Sequence, residues 1–330
     1  MNFSDKYQDV IKEARSLVQP ALDLSAKMMR EVAENSPSGL RERITQTVER
    51  PGKRLRSMLL FLLAKSNGET EDLTRMARAA SSVEMLHLAS LVHDDVIDRS
   101  EFRRGQSSMH SAFGNKIAVL AGDYMLAQSL IFVLEEEDRR IPKNLANAAS
   151  SLVAGEILEI DHAGNTNISF EEYIQVIEGK TASLLVSCAK CGAILAGYSP
   201  EIVEDCGRLG LHFGIAFQII DDILDYGVGA ESLGKKNFED LQNGLITLPM
   251  LLYFQKNSKE EMENFIKNAY EPSTANLIVE KLEMANCFED AKNIAYSHLQ
   301  KATEVLEKLP SNHINTLLKD FFEAMTERRN

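Results

Sequence analysis

The chain contains no tryptophan, 8 prolines and 4 cysteines among its 330 residues, and it has fewer positive than negative charges. Each scarcity removes a class of readings. Its 36 Lys and Arg stand against 49 Asp and Glu, a formal net charge of -13. General nucleic-acid binding wants the opposite, a basic surface. Clean apolar runs of membrane-spanning length are missing. The longest candidate, Ser183 to Tyr198, is interrupted by Lys190 and stops at Pro200. The first residues, MNFSDKYQDVIKEARSL, bring acids early and no apolar stretch, so no secretory signal is expected there. The expectation is a soluble cytoplasmic protein with no nucleic-acid partner and no membrane span. Short β-branched runs bounded by turn residues are also scarce, which argues against a sheet.

Cys188 and Cys191 form a CxxC, with Cys206 and Cys287 elsewhere. A redox or zinc role wants an active-site turn or a second ligand pair. This pair lies in SLLVSCAKCGAILAG, which reads as a buried helix, so small core residues are expected.

What is present is helical periodicity. Apolar residues recur at three and four, as in Met76-Ala79-Ala80-Val83-Leu86-Leu91 and Ile117-Leu120-Ala121-Tyr124-Leu126. The spacing predicts helices over 73–97, 116–136, 145–162 and 202–224. Breaks are expected at Asn67-Gly68, Arg104-Gly105, Gly164-Asn165, Gly197-Tyr198 and Gly227 to Gly234. The predicted fold class is all-α: one large helical bundle over residues 1–330. The motif-bearing part spans about 50–250, and 257–330 reads as scaffold.

One acidic pattern occurs twice: Asp94-Asp95-x-x-Asp98 and Asp221-Asp222-x-x-Asp225. On a helix Asp94 and Asp98 share a face, as do Asp221 and Asp225, and like charges at that spacing repel. A solvated acidic face is the simplest reading of such a pair. Here the motifs are embedded in apolar sequence, where unpaired carboxylates are costly. A cation from outside removes that cost, and an all-carboxylate ligand set suits magnesium, calcium or manganese. Basic clusters stand out against the acidic background: Lys53-Arg54 with Arg56, Arg103-Arg104, Lys180 and Lys235-Lys236. Any one alone reads as surface charge. Four of them, each at a break or helix start, point to phosphate groups.

The set GKRLR, HxxxxxxDDxxDxxxxRRG, GKT, FQxxDDxLD and DLxxGxxTLP, running in order from Gly52 to Pro249, resembles the trans-isoprenyl diphosphate synthase (polyprenyl synthetase) family. The resemblance implies an isoprenoid-synthase bundle with a central active-site cavity. It implies a magnesium-dependent prenyltransferase, using about three ions with bound diphosphate, and a homodimer. Lys53, Arg56, His87 and Arg104 match positions that bind isopentenyl diphosphate. Arg103, Lys180, Thr181, Gln218 and Lys235 match the allylic-diphosphate side. Asp94 and Asp98 match magnesium ligands of the first motif. Asp221 matches the metal ligand of the second, supported by Asp222 and Asp225. Gly234-Lys235-Lys236 stands where the family often has Gly-Lys-Pro, and Leu245 where it often has Lys.

Ala89 and Ser90 stand five and four residues before Asp94, where short-chain members often carry aromatics. Small residues leave the pocket open. The implied product is medium- to long-chain, on the order of thirty to fifty carbons, such as octaprenyl diphosphate. A short-chain farnesyl or geranylgeranyl synthase is the alternative, and small residues that merely permit close helix packing are the plainer reading of Ala89 and Ser90. A di-iron carboxylate bundle is a rival, because Glu84-x-x-His87 and Glu159-x-x-His162 are both ExxH pairs. That reading leaves both aspartate motifs unexplained, and His162 is expected to be exposed. A class I terpene cyclase and an inactive partner subunit fit less of the pattern.

Overall fold

The computed structural model describes residues 3–50, 52–68, 72–103, 105–227, 239–257 and 272–326. The predictions for Arg104, Lys235 and Lys236 lie outside them. Helices α1 (Phe3–Asn35), α2 (Ser38–Glu49), α3 (Leu55–Lys65) and α4 (Leu73–Ile97) lead into a short hairpin, β1 (Phe102–Arg103) and β2 (Gln106–Ser107). Helices α5 (Met109–Phe113), α6 (Asn115–Leu134), α7 (Arg140–His162) and α8 (Phe170–Ile177) follow. A π-helical turn, Glu178–Ala182, joins α8 to α9 (Ser183–Leu195), and α10 (Pro200–Asp225) comes next. The remainder comprises α11 (Glu239–Gln242), α12 (Leu248–Lys256), α13 (Pro272–Met284), α14 (Cys287–Leu306) and α15 (His313–Thr326).

The predicted helix 73–97 is observed with those ends. Asp72 fixes its start by accepting from the Thr74 and Arg75 amides at 3.0 and 3.1 Å. Helix α10 starts where Ser199 caps it and Pro200 occupies the first turn. Helix α7 begins at Arg140 instead of the predicted 145, because Pro142 sits in its first turn, where a missing N–H costs nothing. The hairpin at 102–107 was not foreseen; Gly105, at φ 76°, supplies its turn. Lys180 was expected at a break or helix start, but the chain stays helical through 178–182 by widening into the π turn.

Helix α10 lies at the centre, against α9 and α14, while α3 packs on α9 and α4 on α6. The four cysteines are buried and free, and Cys188 and Cys191 lie in the α9 core as expected of that pair. Close approach depends on glycine: a Cβ at Gly214 would meet Ala182 Cα at 2.6 Å, so α10 lies directly on the π turn. One helix, Asn115–Leu134, has the length and mean hydropathy (1.8) of a membrane span, a stronger candidate than the 183–198 run. Only 33% of it is buried; Leu120, Ile131 and Leu134 are exposed, and so are Val153, Ile157 and Ile160 on α7.

Candidate active site

Two cavities flank one turn of α10. Gln218 lines the first, of about 190 Å³, and Phe217 the second, of about 390 Å³. The first gathers Asp98, Arg103, Lys180, Thr181, Gln218 and Asp222 from four separate elements. The second gathers Lys53, Arg56 and His87. The predicted allylic-side and isopentenyl-side residues that are described therefore fall into separate, adjacent cavities.

On the first-cavity side, Asp94 is half-buried on the last turns of α4 and Asp98 is its C-cap. Burial, then the Glu156 carboxylate, lifts the Asp94 acid to about 7, with Lys180 and Arg103 opposing and Asp98 adding to the rise. Burial raises Asp98 as well, against Lys180 and Arg103. Asp95 is buried and accepts from Arg103 Nε at 2.6 Å. Burial still raises it, with Arg103 resisting. The hairpin thus folds Arg103 back onto the same motif whose neighbours line the cavity.

The second motif is answered differently. Asp222 is buried and accepts from Tyr173 Oη at 2.6 Å and Gln218 Nε2 at 2.8 Å. Gln218 in turn accepts from Thr181 Oγ1 at 2.6 Å. Burial pushes Asp222 up to about 7 despite these donors, and Asp225 and Glu159 push it the same way. Asp240 is raised well above the carboxylate range by burial and by Asp222 and Asp225. Asp225 accepts from the Asp240 amide at 3.3 Å. Burial and Asp222 raise the Tyr173 phenol well above its usual value, so it remains a donor.

Lys180 is set by backbone contact. A Cβ on Gly155 would meet Gly179 C at 2.7 Å, so α7 touches the π turn. That approach brings Lys180 Nζ to 3.0 Å from Glu156 Oε2, and it also contacts Glu159 Oε1. Burial works against the Lys180 charge, but Glu159 and Glu156 outweigh it and raise its pKa.

In the second cavity Arg56 donates to His87 Nε2 at 3.2 Å. Burial pulls the Arg56 pKa down while Glu84 resists. Glu84 is buried. It takes Arg54 Nη1 at 2.9 Å and Ser57 Oγ at 2.7 Å. Arg54, at φ 52°, also donates to the Val48 carbonyl at 2.9 Å. This fixes the turn that presents Lys53 and Arg56.

Ala89 is buried beside Met29, Met85 and Met125. It packs in that cluster and lines neither cavity. Ser90 donates to the His87 carbonyl at 2.9 Å. His162 closes α7 and lines the first cavity half-buried, so it is not the exposed end residue expected. Leu245 also lines that cavity, where a Lys would have added charge. The ExxH glutamates are committed elsewhere, Glu84 to Arg54 and Glu159 to Lys180. Among the described residues no group of three or more His, Cys, Asp and Glu side chains could hold a metal unaided. The described carboxylates leave room for oxygens from elsewhere, as magnesium takes them from substrate phosphates.

Sequence reading missed Asp95, Glu156, Tyr173 and the position of Asp240. Asp95 and Asp240 lay inside quoted motifs; Tyr173 carried no signal, because its partner is on another helix.

A model of the family described as Polyprenyl synthetase matches residues 37–285. An all-trans-nonaprenyl-diphosphate synthase (geranyl-diphosphate specific) from Rhodobacter capsulatus is 34% identical over 283 residues, covering 85% of this chain and 86% of its own. The solved decaprenyl diphosphate synthase of Rhodobacter capsulatus superposes with a TM-score of 0.89 at 28% identity, over 97% of this chain and 99% of that one. A polyprenyl synthase from Caulobacter crescentus CB15, solved with calcium and isoprenyl diphosphate, gives 0.88 at 27% identity, over 97% and 98%.

Proposed function

The chain belongs to the polyprenyl synthetase family, and from that premise we propose that it joins isopentenyl diphosphate head to tail onto an allylic diphosphate to give a medium- to long-chain product. It is an enzyme that transfers prenyl groups. The observation that carries the reading is the pair of adjacent cavities, one rimmed by buried carboxylates with Lys180 and Arg103, the other by Lys53, Arg56 and His87.

In this reading the allylic diphosphate enters the first cavity, where Arg103 and Lys180 face its oxygens. Thr181 and Gln218 orient it, and Lys235 belongs to the same set. Isopentenyl diphosphate sits against Lys53, Arg56 and His87, with Arg104. Asp94, Asp98, Asp221, Asp222 and Asp225 are the residues that would hold magnesium. They fit it: their acids are hard oxygen donors, and burial raises Asp94 and Asp222 to about 7, a cost that a bound cation would remove. Bound there with diphosphate, magnesium ions (about three) supply Lewis-acid stabilisation of the leaving group. The chain's own cations add to that stabilisation by fixed charge. The allylic carbon–oxygen bond ionises, the isopentenyl double bond attacks the cation, and a proton is lost to the departing diphosphate. No side-chain base is required.

The exposed apolar faces of α6 and α7 support a homodimer, with a second copy covering Leu120, Ile131, Val153 and Ile157. Four buried, unpaired thiols suit a reducing cytoplasm. A long product, with octaprenyl diphosphate as the example, is favoured by the long-chain relatives, while Ala89 and Ser90 line neither cavity; a farnesyl or geranylgeranyl product is the second reading. The test is to supply the purified chain with allylic starters of different length, isopentenyl diphosphate and magnesium, and to resolve the dephosphorylated products by chromatography. Products of about six or more five-carbon units support the proposal; arrest at three or four selects the short-chain reading. No consumption of isopentenyl diphosphate overturns it.

A further inference from the structure

Lys180 does not reach into its cavity as an unengaged cation. Its ammonium lies between Glu156 and Glu159, which are three apart and so on one face of α7. The three side chains are 25%, 11% and 18% exposed, so water screens these pairs only weakly. The arrangement is enforced from the backbone, since α7 and the π turn touch through Gly155 and Gly179. For Lys180 to move its hydrogen bonds onto a diphosphate oxygen, two mostly buried carboxylates must lose their partner. Asp94 and Asp98 are close enough to feel both Glu156 and Lys180. Diphosphate alone would thus add negative charge to a group of four carboxylates while drawing Lys180 away from them, which leaves Arg103 as the cation opposing the rise of Asp94 and Asp98. A divalent cation reverses that balance.

We propose that Glu156 and Glu159 form a carboxylate latch on Lys180 that makes its grip on diphosphate conditional on a divalent cation. The inference rests on the reading of Lys180 as a diphosphate ligand. Without cation, Lys180 remains with the glutamates and the site rejects diphosphate. With cation, the carboxylate charge is answered and Lys180 transfers to the phosphate oxygens. Glu156 and Glu159 are positioning residues in this scheme, and they prevent the site from being blocked by metal-free diphosphate.

The test is calorimetric binding of inorganic diphosphate to the full chain, in EDTA and in magnesium, for wild type, Glu156→Gln, Glu159→Gln and the double variant. Glutamine keeps the shape and removes the charge. Wild type is expected to bind at least about tenfold more weakly in EDTA than in magnesium, a usual size for coupling between two ligands. The double variant is expected to regain about tenfold in EDTA, a gain that damaged folding does not produce. If the double variant does not fold, either single variant showing a smaller gain supports the latch. Adding Lys180→Met to the Gln background must abolish the gain. A gain that survives Lys180→Met reflects general repulsion and overturns the latch, as does no gain in any Gln variant. Failure of wild type to bind diphosphate even with magnesium would overturn the site reading itself, and the latch with it.

Discussion

On α4 the first aspartate motif faces cations: Asp95 holds Arg103, and Asp94 and Asp98 lie near Lys180. On α10 Asp222 of the second motif, spelled the same way, meets neutral donors, Tyr173 and Gln218, and acids outside the motif, Glu159 and Asp240. The first motif is thus half-compensated by the chain itself. Asp222's described donors are neutral, so the second motif relies more on what is brought in. Identical spacing on two helices yields two environments because the packed neighbours differ: the hairpin's Arg103 and Lys180 at the first motif, Tyr173 of α8 and Asp240 of α11 at the second.

The largest expected effects come from the acids themselves. Asp94→Asn and Asp222→Asn should each lower kcat on the order of a thousandfold, measured as consumption of labelled isopentenyl diphosphate. Near-normal turnover in either would break the pairing of the motifs. Next is Asp95→Asn, which touches no substrate in this account but releases Arg103. A loss of about 10- to 100-fold is expected, as for groups that orient a metal-site residue. Unchanged kinetics would show that Arg103 needs no such anchor.

Tyr173→Phe removes a donor that holds Asp222 down. Its acid should become still harder to ionise, so the acid limb of the rate profile should move to higher pH, with about tenfold lower rate near neutrality. An unmoved limb would count against neutral donors as the second motif's support. Stability gives a related, smaller readout. Asp94 and Asp222 titrate near 7 in the fold against an ordinary 3.8. The folded state therefore holds more protons than the unfolded chain across that window, and stability falls as pH rises from about 4 to 7. In EDTA the Tm should drop over that range, and magnesium should lessen the drop. Asp222→Asn should flatten it; an identical slope in the variant would contradict the assignment.

Ala89→Phe is expected to shorten the product, read by chromatography, at a stability cost of about 1–3 kcal/mol from overpacking. The methionines around Ala89 can adjust to part of that volume. Unchanged chain length would restrict Ala89 to helix packing.

The helical class, the ends of α4 and the near ends of α10 were legible, because apolar period and capping residues are local signals. The repeated aspartate spacing was legible as a local pattern, and of the basic residues Lys53, Arg56, Arg103 and Lys180 line the two cavities. The π turn was not: it is imposed by the contact of Gly155 with Gly179, two glycines 24 positions apart in the chain. The tie between Tyr173 and Asp222, the burial of Ala89 among methionines and the capture of Glu159 by Lys180 likewise depend on which helices become neighbours. An ExxH pair on paper became a lysine partner in the fold, because composition carries charge but not facing direction.

The most direct measurement is consumption of labelled isopentenyl diphosphate by the purified chain with an allylic starter, in magnesium and in EDTA. The account predicts repeated addition in magnesium and none in EDTA. Equal consumption in both would contradict the view that the buried carboxylates of the two motifs form one half of a cation clamp completed by the substrate.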